Sequence, residues 1–231
     1  MPQAYLDHAA STPLRPEARA ALDDALGLVG NPSGQHRWAR EARRRLDDAR
    51  DQVAEVLGVT PGSVVFTSGG TEADNLAVTG VVAATGGVPL CTAVEHHAVL
   101  DPVHAAGGTT IEVDAAGVVD LVALEATLRA RPEVALVAVM AANNEVGTCQ
   151  PLDAVAEVVA AARPGRPHGL VLHSDAVAAA AWTDLAAVAR AADLVALSGH
   201  KVGGPKGIGV LAVRPGVALA PLVRGGGQER E

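Results

Sequence analysis

The sequence is poor in aromatic side chains, in cysteine and in positive charge, and it has no long hydrophobic run. Aromatics make up 2% of the 231 residues while apolar residues reach 49%, so Ala, Val and Leu must build the core. Small aliphatic side chains suit helices packed closely on a sheet, which points to a layered α/β fold. The length is enough to bury a full core and fits one domain or one and a half. Only Cys91 and Cys149 are present, far apart and without metal-ligand spacing. A disulfide framework is therefore excluded, and a reducing cytoplasm is the expected location. A net charge of −8 excludes a general affinity for nucleic acid, which requires a basic face. Arg40, Arg43, Arg44 and Arg45 alternate with Glu41, Asp47 and Asp48 and read as a solvated helix face. The apolar stretch 134–142 is too short to span a bilayer. The opening MPQAYLDHAAST has neither a basic nor an apolar segment, so no signal peptide and no membrane partner are expected.

Periodicity supplies the organisation. A first helix is predicted over 16–28, opened by Pro16. A second is predicted over 37–57, with Trp38, Ala42, Leu46, Ala49, Val53 and Leu57 as one apolar stripe and Gly58 as its C-cap. Short aliphatic runs at 64–67, 88–94, 109–113, 134–140, 170–174, 193–197 and 207–213 read as strands. Helical stretches at 71–84, 120–130, 151–162 and 184–192 lie between them. That alternation predicts a mostly parallel sheet covered on both faces. In such sheets ligands bind outside the carboxyl ends of the strands. Polar clusters fall at five of those ends, at 67–71, 95–97, 143–145, 173–175 and 198–201, and would converge on one crevice.

Each cluster carries a chemistry and a plainer alternative. Thr67-Ser68-Gly69-Gly70-Thr71-Glu72 follows a strand and opens a helix, a geometry that suits phosphate. A simple N-cap turn reads the same way, and the string matches neither the P-loop nor the dinucleotide fingerprint. Lys201, after Ser198-Gly199-His200, can form an imine with a carbonyl cofactor. Lys206, in a Gly-Pro-Lys-Gly turn, is its rival. A buried Asp175 needs a cationic partner, such as a protonated pyridine nitrogen, unless it caps a helix. His96 can lie over an aromatic cofactor and move protons, with His97 a decoy beside it. Asn143 and Asn144 can donate to a ligand or shape a turn. Glu95, His96, His97 and His104 lack the spacing of a metal site, and no metal is expected.

Taken together and in order, these strings resemble the class V aminotransferase superfamily, and within it the cysteine desulfurases of the NifS/IscS type. The matching segments are YLDHAAST at 5–12, GNPSGQH at 30–36, VVFTSGGTEADNLA at 64–77 and EHHAVL at 95–100. They continue with NNEVGTCQP at 143–151, HSDAV at 173–177, SGHKVGGPKGIGVL at 198–211 and GGGQER at 225–230. The resemblance implies a fold type I pyridoxal-phosphate enzyme working as a homodimer on L-cysteine, with a sulfur-acceptor protein as a partner. It implies residues 1–15 as an arm on the small-domain side and 16–231 as the cofactor-binding large domain. By position, Lys201 resembles the imine-forming lysine, His96 the stacked histidine and Asp175 the carboxylate on the pyridine nitrogen. Asn144 matches the asparagine near the ring hydroxyl, and Gly70, Thr71, Ser198 and His200 match the phosphate cradle.

The sequence also departs from that pattern. The family's nucleophilic cysteine lies beyond the GGGQER segment, where this sequence stops, and neither Cys91 nor Cys149 takes its place. The family's arginine for the substrate carboxylate, the hydroxyl residue by which the partner subunit completes the phosphate site, and most of the small domain are likewise not in these 231 residues. Ala178 stands where the family usually has a glutamine. The leading expectation is a truncated desulfurase-type polypeptide. The alternatives are another class V aminotransferase or lyase that needs no thiol, and a non-catalytic cofactor-binding domain.

Overall fold

The computed structural model describes residues 4–226, 228 and 229. Gly227 and Arg230 of the closing GGGQER string lie outside them. Two helices, α1 (Pro16–Ala25) and α2 (Arg37–Leu57), precede an alternation of strands and helices. It runs β1 (Val64–Thr67), α3 (Gly70–Thr85), β2 (Val88–Thr92), α4 (His97–Ala105), β3 (Thr109–Ile111) and α5 (Leu121–Ala130). It continues with β4 (Val134–Ala138), α6 (Leu152–Ala162), β5 (Val171–Asp175), α7 (Leu185–Ala191), β6 (Leu194–Ser198) and β7 (Gly209–Val213). The seven strands form one sheet in the order β1-β7-β6-β5-β4-β2-β3.

Side chains alternate across the strands and feed two cores. Leu136, Ala138, Leu194 and Ala196 face α3 and α4, meeting Ala73, Ala77, Val81, Val99 and Val103. Val137, Leu172 and Val195 face the other way, onto Leu124, Leu128, Val155, Val159 and Val188. This is the doubly covered α/β sheet the sequence predicts.

One strand breaks the parallel rule in a way that matters for the site. β7 is antiparallel to both β1 and β6. Two reversals leave β1 running in the same direction as β6, so Thr67 ends at the same sheet edge as Thr92, Asp175 and Ser198. Gly209, the first residue of β7, pairs with Thr67 on one side and Ser198 on the other. A Cβ there would lie 2.5 Å from the Gly69 backbone. Only glycine lets the two strand ends close up.

Three expectations need correcting. The first helix stops at Ala25 rather than 28 and buries none of its residues. In α2 the buried face is Ala39, Ala42, Arg50, Ala54 and Leu57, whereas Trp38 is 61% exposed and Ala49 is also exposed. The cause is Arg50. Its guanidinium lies 4.8 Å over the Phe66 ring, donates to the Val64 carbonyl at 2.6 Å and pairs with Glu229 at 2.6 Å. A buried cation with three kinds of partner turns the helix, and an apolar stripe does not register it. The third is α4, a helix at His97–Ala105 that the periodicity does not predict. Pro102 within it cannot donate to the Ala98 carbonyl. Asn75 of α3 takes up that carbonyl instead, at 3.3 Å, so a helix survives where proline argued against one.

Candidate active site

The sheet edge predicted to hold the crevice does hold one. A cavity of about 270 Å³ is lined by Gly70, Thr71, His96, Asn144, Asp175, Ser198, His200 and Lys201, every one of the expected site residues. Asp74, Met140 and Ala178 also line it. The decoys separate from them. His97 is exposed and turned toward Asp101 at 3.5 Å, and Lys206 is exposed in its turn. Cys91 is buried in β2, where burial and the Glu95 charge push its thiol up to about 12. Cys149 is exposed on the turn after β4. Neither thiol lines the cavity.

At one end of the cavity α3 begins. Ser68 N–H donates to the Glu72 carboxylate at 2.7 Å, so the helix's own acid ties down the approach. The next amides, from Gly70 on, have no acceptor within the helix, and the helix dipole adds positive potential there. A Cβ on Gly70 would meet Val177 Cγ2 at 2.7 Å, so glycine lets this helix end sit against the Asp175 loop. Ser198 and His200, at the end of β6, complete that wall. Burial lowers the His200 pKa, and Lys201 and Lys206 lower it further.

Asp175 ends β5 in the cavity wall and is 5% exposed. Its Oδ1 accepts from Val177 N–H at 2.8 Å, and no cation pairs with it among the described residues. Burial, reinforced by the charge of Asp74, raises its pKa to about 7. A carboxylate in this state favours an incoming cation.

His96 caps α4, its Nδ1 accepting from Ala98 N–H at 3.0 Å. That bond leaves the proton of the neutral ring on Nε2. Burial and the neighbouring His97 and Lys201 lower its pKa, keeping the ring uncharged. The two asparagines divide their labour. Asn143 Oδ1 accepts from the amides of Glu145 and Val146 at 2.9 Å, and its amide donates to the Val94 carbonyl at 3.1 Å. Asn143 therefore shapes the turn and Asn144 faces the cavity.

Lys201 stands on a single 3-10 turn, 199–201, directly after β6. Its Nζ donates to the Ala9 carbonyl. The segment before α1 closes over this turn, with the Thr12 amide and hydroxyl both donating to the His200 carbonyl, at 2.9 and 2.8 Å.

Asp74 is not at a strand end and its partner His173 is distant in sequence, so the strand-end pattern does not mark it. It lies three residues after Thr71 on α3, a spacing that puts both on one helix face.

Among the described residues no group of His, Cys, Asp and Glu side chains has the arrangement of a metal site. None of their helices is long and apolar enough to cross a membrane.

Comparison with known proteins gives the same direction. Residues 4–231 match the aminotransferase class-V family. The IscS-like cysteine desulfurase of Mycobacterium tuberculosis is 43% identical over 240 residues, covering 99% of this chain and 60% of the relative. A solved NifS-like protein superposes with a TM-score of 0.87 at 33% identity, covering 98% of this chain and 63% of that one. A structure described as SspA in complex with cysteine has the same TM-score at 32% identity, covering 98% and 66%. The chain thus spans about 60% of the length of the curated relative. With fold, cavity and sequence in agreement over nearly its whole length, this chain belongs to the class-V aminotransferase family.

Proposed function

We propose that this chain is the pyridoxal-phosphate-binding part of a cysteine desulfurase. In the overall reaction L-cysteine and an acceptor thiol give L-alanine and the acceptor persulfide, a balanced transfer of one sulfur atom. One observation carries the reading. A lysine amine, a buried carboxylate without a cation and a helix N-terminus rich in free amides share one cavity. That donor set fits pyridoxal phosphate, which has a carbonyl, a basic ring nitrogen and a phosphate. When bound, the cofactor serves as an electron sink for the substrate α-carbon.

The chain's own residues divide the work. Lys201 would hold the cofactor through its carbonyl and would move the substrate α-proton through Nζ. Asp175 would pair with the protonated ring nitrogen. Gly70, Thr71, Ser198 and His200 would hold the phosphate, and His96 and Asn144 would contact the ring. In this reading residues 1–15 are assigned to an arm on the small-domain side and 16–231 to the cofactor-binding large domain. The sulfur-accepting thiol comes from outside the cavity, since neither Cys91 nor Cys149 lines it. A homodimer, a cytoplasmic location and a protein sulfur acceptor, as in iron–sulfur cluster assembly, belong to the same reading. The relatives' name, cysteine desulfurase, supports the sulfur acceptor, and the dimer and location rest on the family resemblance.

A second reading has one observation in its favour. Ala178, which offers no side-chain donor, lines the cavity. A non-catalytic cofactor-binding domain would tolerate that better. Incubation with pyridoxal phosphate, L-cysteine and dithiothreitol separates the two. The desulfurase reading expects equal amounts of alanine and sulfide, lost in Lys201→Ala. Cofactor binding without any alanine would favour the second.

A further inference from the structure

Beneath the cavity lie two ionisable groups that the proposed chemistry leaves idle. His173 and Asp74 are 0% and 1% exposed as side chains, and His173 Nε2 sits 3.0 Å from Asp74 Oδ1. His173 is two residues before Asp175 on β5, so both side chains leave the strand on the face covered by α3. Asp74 is on α3 itself, one turn beyond Thr71, and reaches the cavity wall. Burying a second carboxylate and an imidazole has a large desolvation cost that packing alone would avoid with apolar residues.

The surroundings show what the pair acts upon. The charge of Asp74 pushes the Asp175 pKa up, whereas His173 and Lys201 pull it down. Burial raises Asp74 to about 8 and lowers His173, so each resists ionising alone. Glu95 joins from β2's end, its Oε1 held by Thr92 at 2.6 Å and Met140 N–H at 2.7 Å. Burial raises Glu95 to about 7. Three buried carboxylates and one imidazole cannot all be charged in so small a volume, so the protonation of the Asp74–His173 pair bears on where negative charge settles.

Resting on the cofactor reading above, we propose that Asp74 and His173 are a buried positioning pair acting through Asp175. By holding a proton between them they leave Asp175 as the carboxylate that carries charge, aimed at the cofactor's ring nitrogen. Their role in the proposal is to set the charge of Asp175, not to take part in the chemical step.

The test compares pyridoxal phosphate with its 1-deaza analogue, in which carbon replaces the ring nitrogen. Affinities for the full chain are measured by equilibrium dialysis in wild type, Asp74→Asn and His173→Gln. His173→Gln, which removes the group that helps Asp175 stay charged, is expected to bind pyridoxal phosphate about five- to tenfold more weakly and the deaza analogue as well as wild type does, whereas Asp74→Asn, which keeps that position neutral, should bind both ligands as wild type does. Equal losses for both ligands would mean a merely structural role and would overturn the proposal. Should either variant fail to fold, the wild type with ¹⁵N-labelled histidine serves. Its His173 ring signals must differ between the two ligands, and identical signals would also overturn the proposal. If wild type binds neither ligand, the cofactor reading itself fails, an outcome distinct from both.

Discussion

Two aspartates, equally buried, stand at opposite ends of the central strands and are treated in opposite ways. Asp193, entering β6 at its amino end, is 5% exposed and held by Arg163, by Arg214 at 3.3 Å and by the Leu172 amide at 2.8 Å. Asp175, leaving β5 at its carboxyl end, is also 5% exposed but receives only the Val177 amide. The fold neutralises the first with its own arginines and leaves the second waiting for a cation from outside. A buried acid supplied with partners is part of the scaffold, and one supplied with a cavity is part of a site.

The largest effect should come from removing the supplied partner set. Asp193→Ala strands the Leu172 amide and two arginines, themselves partly exposed, and is expected to destabilise the chain by about 3 kcal/mol in urea unfolding. Asp175→Asn in the cofactor-free protein should be neutral or stabilising; a comparable loss there would erase the contrast. Next in size, pyridoxal phosphate at a hundred times its dissociation constant should stabilise wild type by about 2.7 kcal/mol. Asp175→Asn should gain clearly less at the same concentration, which thermal unfolding with and without ligand would show.

The contrast also predicts a pH dependence. The folded pKa of Asp175 lies above its unfolded value, near 4, so the folded state holds the extra proton between the two. Its contribution to stability is therefore full below about pH 4 and lost as pH rises through about 7. Subtracting the Asp175→Asn stability curve from the wild-type curve should reveal this fall, roughly 1–3 kcal/mol. A flat difference would show that Asp175 is not raised. The smallest effect belongs to an ordinary surface acid. Asp184 caps α7, accepting from the Ala186 and Ala187 amides at 3.0 and 3.2 Å, and Asp184→Ala should cost about 1 kcal/mol at neutral pH.

The strands and the sheet-edge crevice were legible because aliphatic runs and polar strand ends repeat with a simple period. Asp175 was legible as a strand-end acid, but its lack of a cation was not, since Arg163 and Arg214 reach Asp193 from residues 30 and 21 positions away. The reversal of β7 left no mark in composition, because an aliphatic run reads alike in both directions. In α2 the expected stripe is only partly right: Ala42 and Leu57 are buried, but Trp38 and Ala49 are exposed and Arg50 turns inward, onto Phe66 and Glu229. α4 was hidden by Pro102, whose missing hydrogen bond is compensated by Asn75, a residue on another helix. Asp74 was overlooked for a related reason. Its partner His173 lies 99 residues away, so only the folded chain brings the two together.

The most direct test of the account is chemical capture. The purified protein is mixed with pyridoxal phosphate, reduced with borohydride and mapped by peptide mass spectrometry. The account predicts one cofactor adduct, on Lys201, absent in Lys201→Ala. An adduct on Lys206, or none on either lysine, would contradict it.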